Sequence, residues 1–159
     1  KINFEINKGK LTQVDLSKAD LSGANMIGAD LTESNLEGCD LSRADLSEAI
    51  LQRANMKNTF LIGSNLQKAE MDEVNLENAN IAGAKLRKTN CQKANMKNVD
   101  LQRSDLENAD FTQADLSEAS LTGSKLGDAC FKNANLTGAD LSLSDRTDGD
   151  FSGAKGYKP

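Results

Sequence analysis

The sequence contains no histidine and no tryptophan, a single proline (Pro159) and a single tyrosine, and its aromatic content is only 4%. The missing histidine removes the commonest general base and the commonest metal ligand. The shortage of large aromatics removes the residues on which a conventional globular core depends most heavily. No apolar run approaches the ~20 residues that a helix needs to cross a bilayer. There is no charged-then-apolar leader at the start. The chain opens on Lys1, which leads us to expect a processed N-terminus or a longer parent.

What is present is a repeat. From Ala19 the chain divides into ADLSG, ANMIG, ADLTE, SNLEG, CDLSR and ADLSE, and the phase holds from Gly9 to Leu143 without insertion, 135 of the 159 residues. The third position of each unit is apolar, mostly Leu, with Met26, Met56, Met71, Met96, Ile81, Cys91, Phe111 and Phe131 as variants. The first position is small, the second mainly Asp or Asn, and the last two are polar or Gly.

A strict period of five is not helical, because it rotates the apolar stripe by about 140° per unit at 100° per residue. Strand alternation fits if a corner after each unit resets the phase. A type II corner needs positive φ at its third residue, hence Gly or Asn at the fifth position. Gly23, Gly28, Gly38, Gly63, Gly83, Gly123 and Gly138 stand there, as do Asn58, Asn78, Asn98, Asn108 and Asn133.

The A(D/N)LXX pattern resembles the pentapeptide-repeat family. The resemblance implies an all-β fold, a right-handed quadrilateral parallel β-helix in which residues twenty apart lie above one another. At about 4.8 Å between stacked strands, 27 units make roughly seven coils and a rod roughly 32 Å tall. Residues 1–8 are expected to cap the N-terminal end, with Phe4, Ile2 and Ile6 folded over the first coil. Residues 9–143 form the solenoid, and 144–159 a partial coil and tail, because Arg146 stands where Leu is due.

Few residues are left over for chemistry. The glycines sit singly at corners and form no phosphate loop. The second-position Asp and Asn ladders read as solvated corner groups, and no EF-hand spacing appears. Cys39 is expected inward, Cys91 in the core and Cys130 outward. Cys91 and Cys130 lie about two coils apart, roughly 10 Å, beyond the reach of a disulfide. Free thiols follow, with Cys130 the one reactive candidate. They suit a cytosolic compartment, while a bridge-free chain is also compatible with an exported or organelle-lumen site. No cofactor is implied. Asn135-Leu-Thr matches a glycosylation sequon and carries little weight.

Partner specificity falls to the outward positions. One face, built on Leu21, Leu41, Leu61, Ile81, Leu101, Leu121 and Leu141, has Gly23, Arg43, Gly63, Gly83, Arg103, Gly123 and Leu143 at its fifth positions. Phe60 replaces the usual Asp or Asn, and Ile62 and Ala82 replace polar neighbours. This reads as a flat face with an apolar centre between two arginines, the residue types interface centres favour. The adjacent face gathers Lys68, Lys85, Arg87 and Lys88, flanked by Asp45, Glu48, Asp105 and Glu107. It is either a mixed solvated surface or a contact for an anionic partner. Phe111, Phe131 and Phe151 share one column, as a core filling or, at Phe131 and Phe151, as an apolar end through which two rods pair.

The expected function is a non-catalytic rigid interaction or scaffolding module with a protein partner. The resemblance implies one alternative, a DNA mimic that binds a type II topoisomerase, as in gyrase inhibition or quinolone protection. Duplex DNA carries one charge per ~1.7 Å, or about 19 over this length, whereas the net charge here is −5. That negative sign also disfavours direct nucleic-acid binding.

Overall fold

The computed structural model describes residues 9–159, so the expected cap at 1–8 lies outside the described residues. The chain winds as a parallel solenoid whose bridges join each second-position residue to the one twenty further on, from Lys10 with Asp30 to Asn135 with Lys155. It is a right-handed quadrilateral β-helix. The coil geometry runs on through Lys155, past Leu143 where the sequence pattern lapses.

The repeat follows from where five backbone N–H groups go. In the coil that begins at Thr59, the third-position Leu61 N–H donates to the Asn80 carbonyl on the next coil at 2.7 Å. The fifth-position Gly63 N–H donates to Ala82 at 3.0 Å, and the second-position Phe60 N–H donates back to Cys39 at 3.0 Å. The next first-position N–H, on Ser64, closes the corner onto the Leu61 carbonyl at 3.0 Å. Only the fourth-position N–H has no backbone partner. Buried or half-buried donors must be satisfied, and here the second-position side chain does it. Every second-position Asp or Asn from Asp15 to Asp150 accepts the N–H two residues on. Asx geometry of this kind is the reason short polar side chains dominate that position.

All fifth positions from Gln13 to Gly153 have positive φ, and the fourth positions do not, which is a type II corner. The expectation of Gly or Asn there is only partly met, because Arg, Lys, Glu, Gln and Leu143 adopt the same conformation. A left-handed conformation costs such residues roughly 1–2 kcal/mol. The corner and ladder hydrogen bonds on both sides of each fifth residue offset that cost.

Inside, the third-position side chains stack in four columns and the small first-position residues fill the corners. Buried hydroxyls at first positions return a hydrogen bond to a corner carbonyl, as Thr59 does to Met56 at 2.8 Å and Ser104 to Ile81 at 2.8 Å. Ser64 Oγ is the exception, buried without a partner. In the Phe111 column the rings stack at 4.9 Å from Phe111 to Phe131 and 4.9 Å from Phe131 to Phe151. Tyr157 then lies on Phe151 at 4.1 Å, and Arg146 crosses over Tyr157 at 5.9 Å instead of entering the core.

Two outcomes follow from these contacts. Ser64→Ala should raise stability by about 1 kcal/mol, since it removes a desolvated hydroxyl with no partner, while Ser104→Ala should lower it by about 1 kcal/mol. Denaturant midpoints check both signs. The second concerns acid. In Asp15, Asp30, Asp140, Asp145 and Asp150, the hydroxyl two residues on and then its backbone N–H hold the carboxyl below its ordinary value of 3.8. Their contribution is present above that ordinary value and is lost as pH falls through the lowered folded values. Asp140→Asn, Asp145→Asn and Asp150→Asn together keep the acceptor and remove the titration. Melting temperature measured from about pH 4 downwards should fall less steeply in this triple variant.

Candidate interaction surface

Stacking every twentieth residue turns the outward positions into columns, and the Leu21 face differs from the other three. The large exposed hydrophobic residues among the described residues are Phe60 at 50%, Ile62 at 45% and Leu143 at 89%, and all three stand on this face. Phe60 lies between Asp40 and Asn80 in its column. Because it replaces Asp or Asn, it offers no acceptor to the Ile62 N–H. Two loosely filled features, the exposed pair and the unpartnered Ser64 hydroxyl, therefore meet at one corner.

Charge is arranged differently on this face as well. The ion pairs found lie on the other three faces: Arg53 with Glu33, Lys57 with Glu77, Lys68 with Glu48, and Arg87 with Asp105 and Glu107. Asp40, Arg43, Asp100 and Arg103 take part in none of them. Asp40 and Asp100 instead accept the N–H groups of Ser42 and Gln102. Asp40 and Arg43 also border a shallow recess of about 360 Å³ with Ser22, Gly23 and Ser42.

The two arginines do not frame the apolar centre equally. The Arg43 stem runs over Gly63, beside Ile62, and the Arg43 N–H donates to the Ile62 carbonyl at 2.9 Å. The Arg103 stem runs over Gly123, away from Phe60, and the space where a side chain would stand at Gly83 is open. Leu143, more exposed than either Phe60 or Ile62, was legible as a member of this column, since it stands at a fifth position where Gly or Arg precedes it.

Lys68, Lys85, Arg87 and Lys88 do come together on adjacent coils of the neighbouring face. Arg87 is held by Glu107 at 2.6 Å and by Asp105 at 3.4 Å, and Lys68 by Glu48 at 3.8 Å. Lys85 and Lys88 have no such partner among the described residues. Exposed pairs of this kind contribute about 1 kcal/mol or less, but they spend the charge locally. At the C-terminal end Phe131 is fully buried, so it offers no surface to another molecule. The ring that faces outward there is Tyr157, stacked over Phe151.

The three cysteines are free. Burial pushes the Cys91 thiol up to about 12 and also raises Cys39, whose Sγ donates to the Leu16 carbonyl at 2.6 Å. Cys130 Sγ lies 3.3 Å from Thr112 Oγ1 at the surface. Among the described residues no three Cys, Asp or Glu side chains come together as a metal site. No helix among them is long and apolar enough to cross a membrane.

The chain matches known repeats over almost its whole length. The model of a pentapeptide repeat region matches residues 29–111, and that of pentapeptide repeats in eight copies matches 8–38 and 104–155. No curated protein sequence matches. Among solved structures it is similar to HetL, a pentapeptide repeat protein involved in heterocyst differentiation regulation from the cyanobacterium Nostoc sp. strain PCC 7120, at 26% identity over 96% of this chain and 90% of that one, with a TM-score of 0.31. A pentapeptide repeat protein from the Arabidopsis thaliana thylakoid lumen shares 28% identity over 65% of this chain and 69% of its own, with a TM-score of 0.43. QnrB1, a plasmid-mediated fluoroquinolone resistance protein, shares 22% over 96% and 89%, with a TM-score of 0.42. At TM-scores this low they carry no argument about any particular surface. The unbroken five-residue phase, the square coil and the two matching repeat models agree: the chain belongs to the pentapeptide-repeat proteins.

Proposed function

We propose that this chain is a non-catalytic rigid module that binds a protein partner through its Leu21 face. The observation that carries the reading is the gathering of Phe60, Ile62 and Leu143 on one face of an otherwise polar rod. Exposed apolar residues scattered singly are ordinary, but Phe60 and Ile62 stand in one unit, with Leu143 four coils further along the same face. A stiff support favours such a role, since little ordering entropy is spent when a preformed surface docks. The non-catalytic part rests on the absence of histidine, on buried thiols whose burial keeps them protonated, and on carboxylates already engaged in corner hydrogen bonds.

The DNA-mimic alternative is weaker. A net charge of −5 falls far below the ~19 charges of duplex DNA over the same length. Some of the acidic residues, Glu48, Glu77 and Glu107 among them, pair with Lys and Arg on their own faces.

Phe60→Asp with Ile62→Asp should reduce partner capture roughly tenfold or more. Lys85→Glu with Lys88→Glu, on the neighbouring face, should leave it unchanged. Quantitative pull-down from the native source measures both, and equal capture by all variants rejects the reading. A gyrase supercoiling assay should show no effect at micromolar protein, and inhibition there would favour the alternative.

A further inference from the structure

We propose that the partner on the Leu21 face is a second copy of this chain, lying alongside with the two rods parallel about a two-fold axis that runs along them. This rests on the reading that the Leu21 face is an interaction surface. The argument comes from the order of side chains across each coil. The second position lies toward one edge of the face, and the fourth and fifth positions lie toward the other.

A two-fold axis along the rods keeps each coil at its own height and exchanges the two edges. Second-position residues of one copy then meet fourth- and fifth-position residues of the same coil in the other. Asp40 meets Arg43, and Asp100 meets Arg103, twice each across the pair. None of these four charges has an ion partner among the described residues, so all four are available to a second copy. Between them Phe60 meets Ile62, beside the Arg43 stem that lies over Gly63. Asn80 meets Ala82 and the open shelf at Gly83. Asp40 and Arg43 border one recess, with Ser22, Gly23 and Ser42, so the acidic and the basic edge of this coil are both open to the second copy.

The same face tests the other symmetric arrangement and disfavours it. With the rods antiparallel, the two-fold axis would lie across them and would keep each edge on its own side. With the axis midway between Phe60 and Asn80, Arg43 would meet Arg103 and Asp40 would meet Asp100, and at no other height would an Asp of one copy face an Arg of the other. An isologous contact must be complementary to itself, and only the parallel arrangement makes it so.

Sedimentation equilibrium up to about 100 µM should show a reversible dimer. Arg43→Glu and Asp40→Arg should each weaken it roughly tenfold or more, as should Phe60→Asp. An equimolar mixture of Arg43→Glu with Asp40→Arg should restore it, because the mixed pair brings opposite charges together at both edges. Asp40 also holds a corner, so melting curves check that its variant folds. The pair Arg103→Glu and Asp100→Arg repeats the test three coils away.

A monomer throughout, a dimer indifferent to Arg43→Glu and Phe60→Asp, or a mixture that stays apart overturns the proposal. If the wild-type chain is monomeric while Phe60→Asp still loses a different protein, self-pairing fails and the interaction surface stands.

Discussion

Three backbone hydrogen bonds per five-residue unit tie each coil to its neighbours, and they close only if a residue sits over the one twenty earlier. This register is the constraint from which the other features descend. It forces like positions into columns, so each side chain meets its counterpart above and below. A column of leucines fills the centre evenly, and a column of small residues lets the corners approach. The stacked rings of Phe111, Phe131 and Phe151, spaced at 4.9 Å, sit at the strand separation because the backbone puts them there.

The same register decides how the surface works. Each corner leaves the fourth-position N–H without a backbone acceptor, and Asp or Asn at the second position supplies one. Stacked amides extend this along the rod, as Asn55 donates to Asn35 at 3.3 Å and Asn95 to Asn75 at 3.2 Å. Departures from the rule are therefore informative. Phe60 gives up a corner hydrogen bond to place an aromatic ring on the surface, where it is half exposed. Lys85 gives up another on the basic face. On the other faces lateral ion pairs between coils use part of the charge, whereas Asp40, Arg43, Asp100 and Arg103 take part in none of them.

Much of this was legible from residue order. The five-residue phase places Leu41, Leu61 and Ile81 in one column, and the structure buries all three. The inward, core and outward placements of Cys39, Cys91 and Cys130 follow from phase alone. What phase does not contain is direction and pairing. Arg43 and Arg103 have the same position in the unit, yet one leans toward the apolar centre and the other away from it. Arg87 looks like part of a free basic cluster until Asp105 and Glu107 are seen within reach. Phe131 shares a column with Phe151, but burial separates them, because only the last layer can face an end.

By itself, the sequence determined the repeat, the columns and the identity of the odd face, since a strict period converts residue number directly into position. Tertiary structure alone decided which charges neutralise one another, where flexible stems lie, and how the C-terminal end is closed by Tyr157 and Arg146. Those outcomes depend on contacts between coils and on side-chain torsions, which a five-residue period does not encode. The face marked by Phe60 was thus visible in the order of residues. That its charges remained unspent became visible only once the coils were stacked.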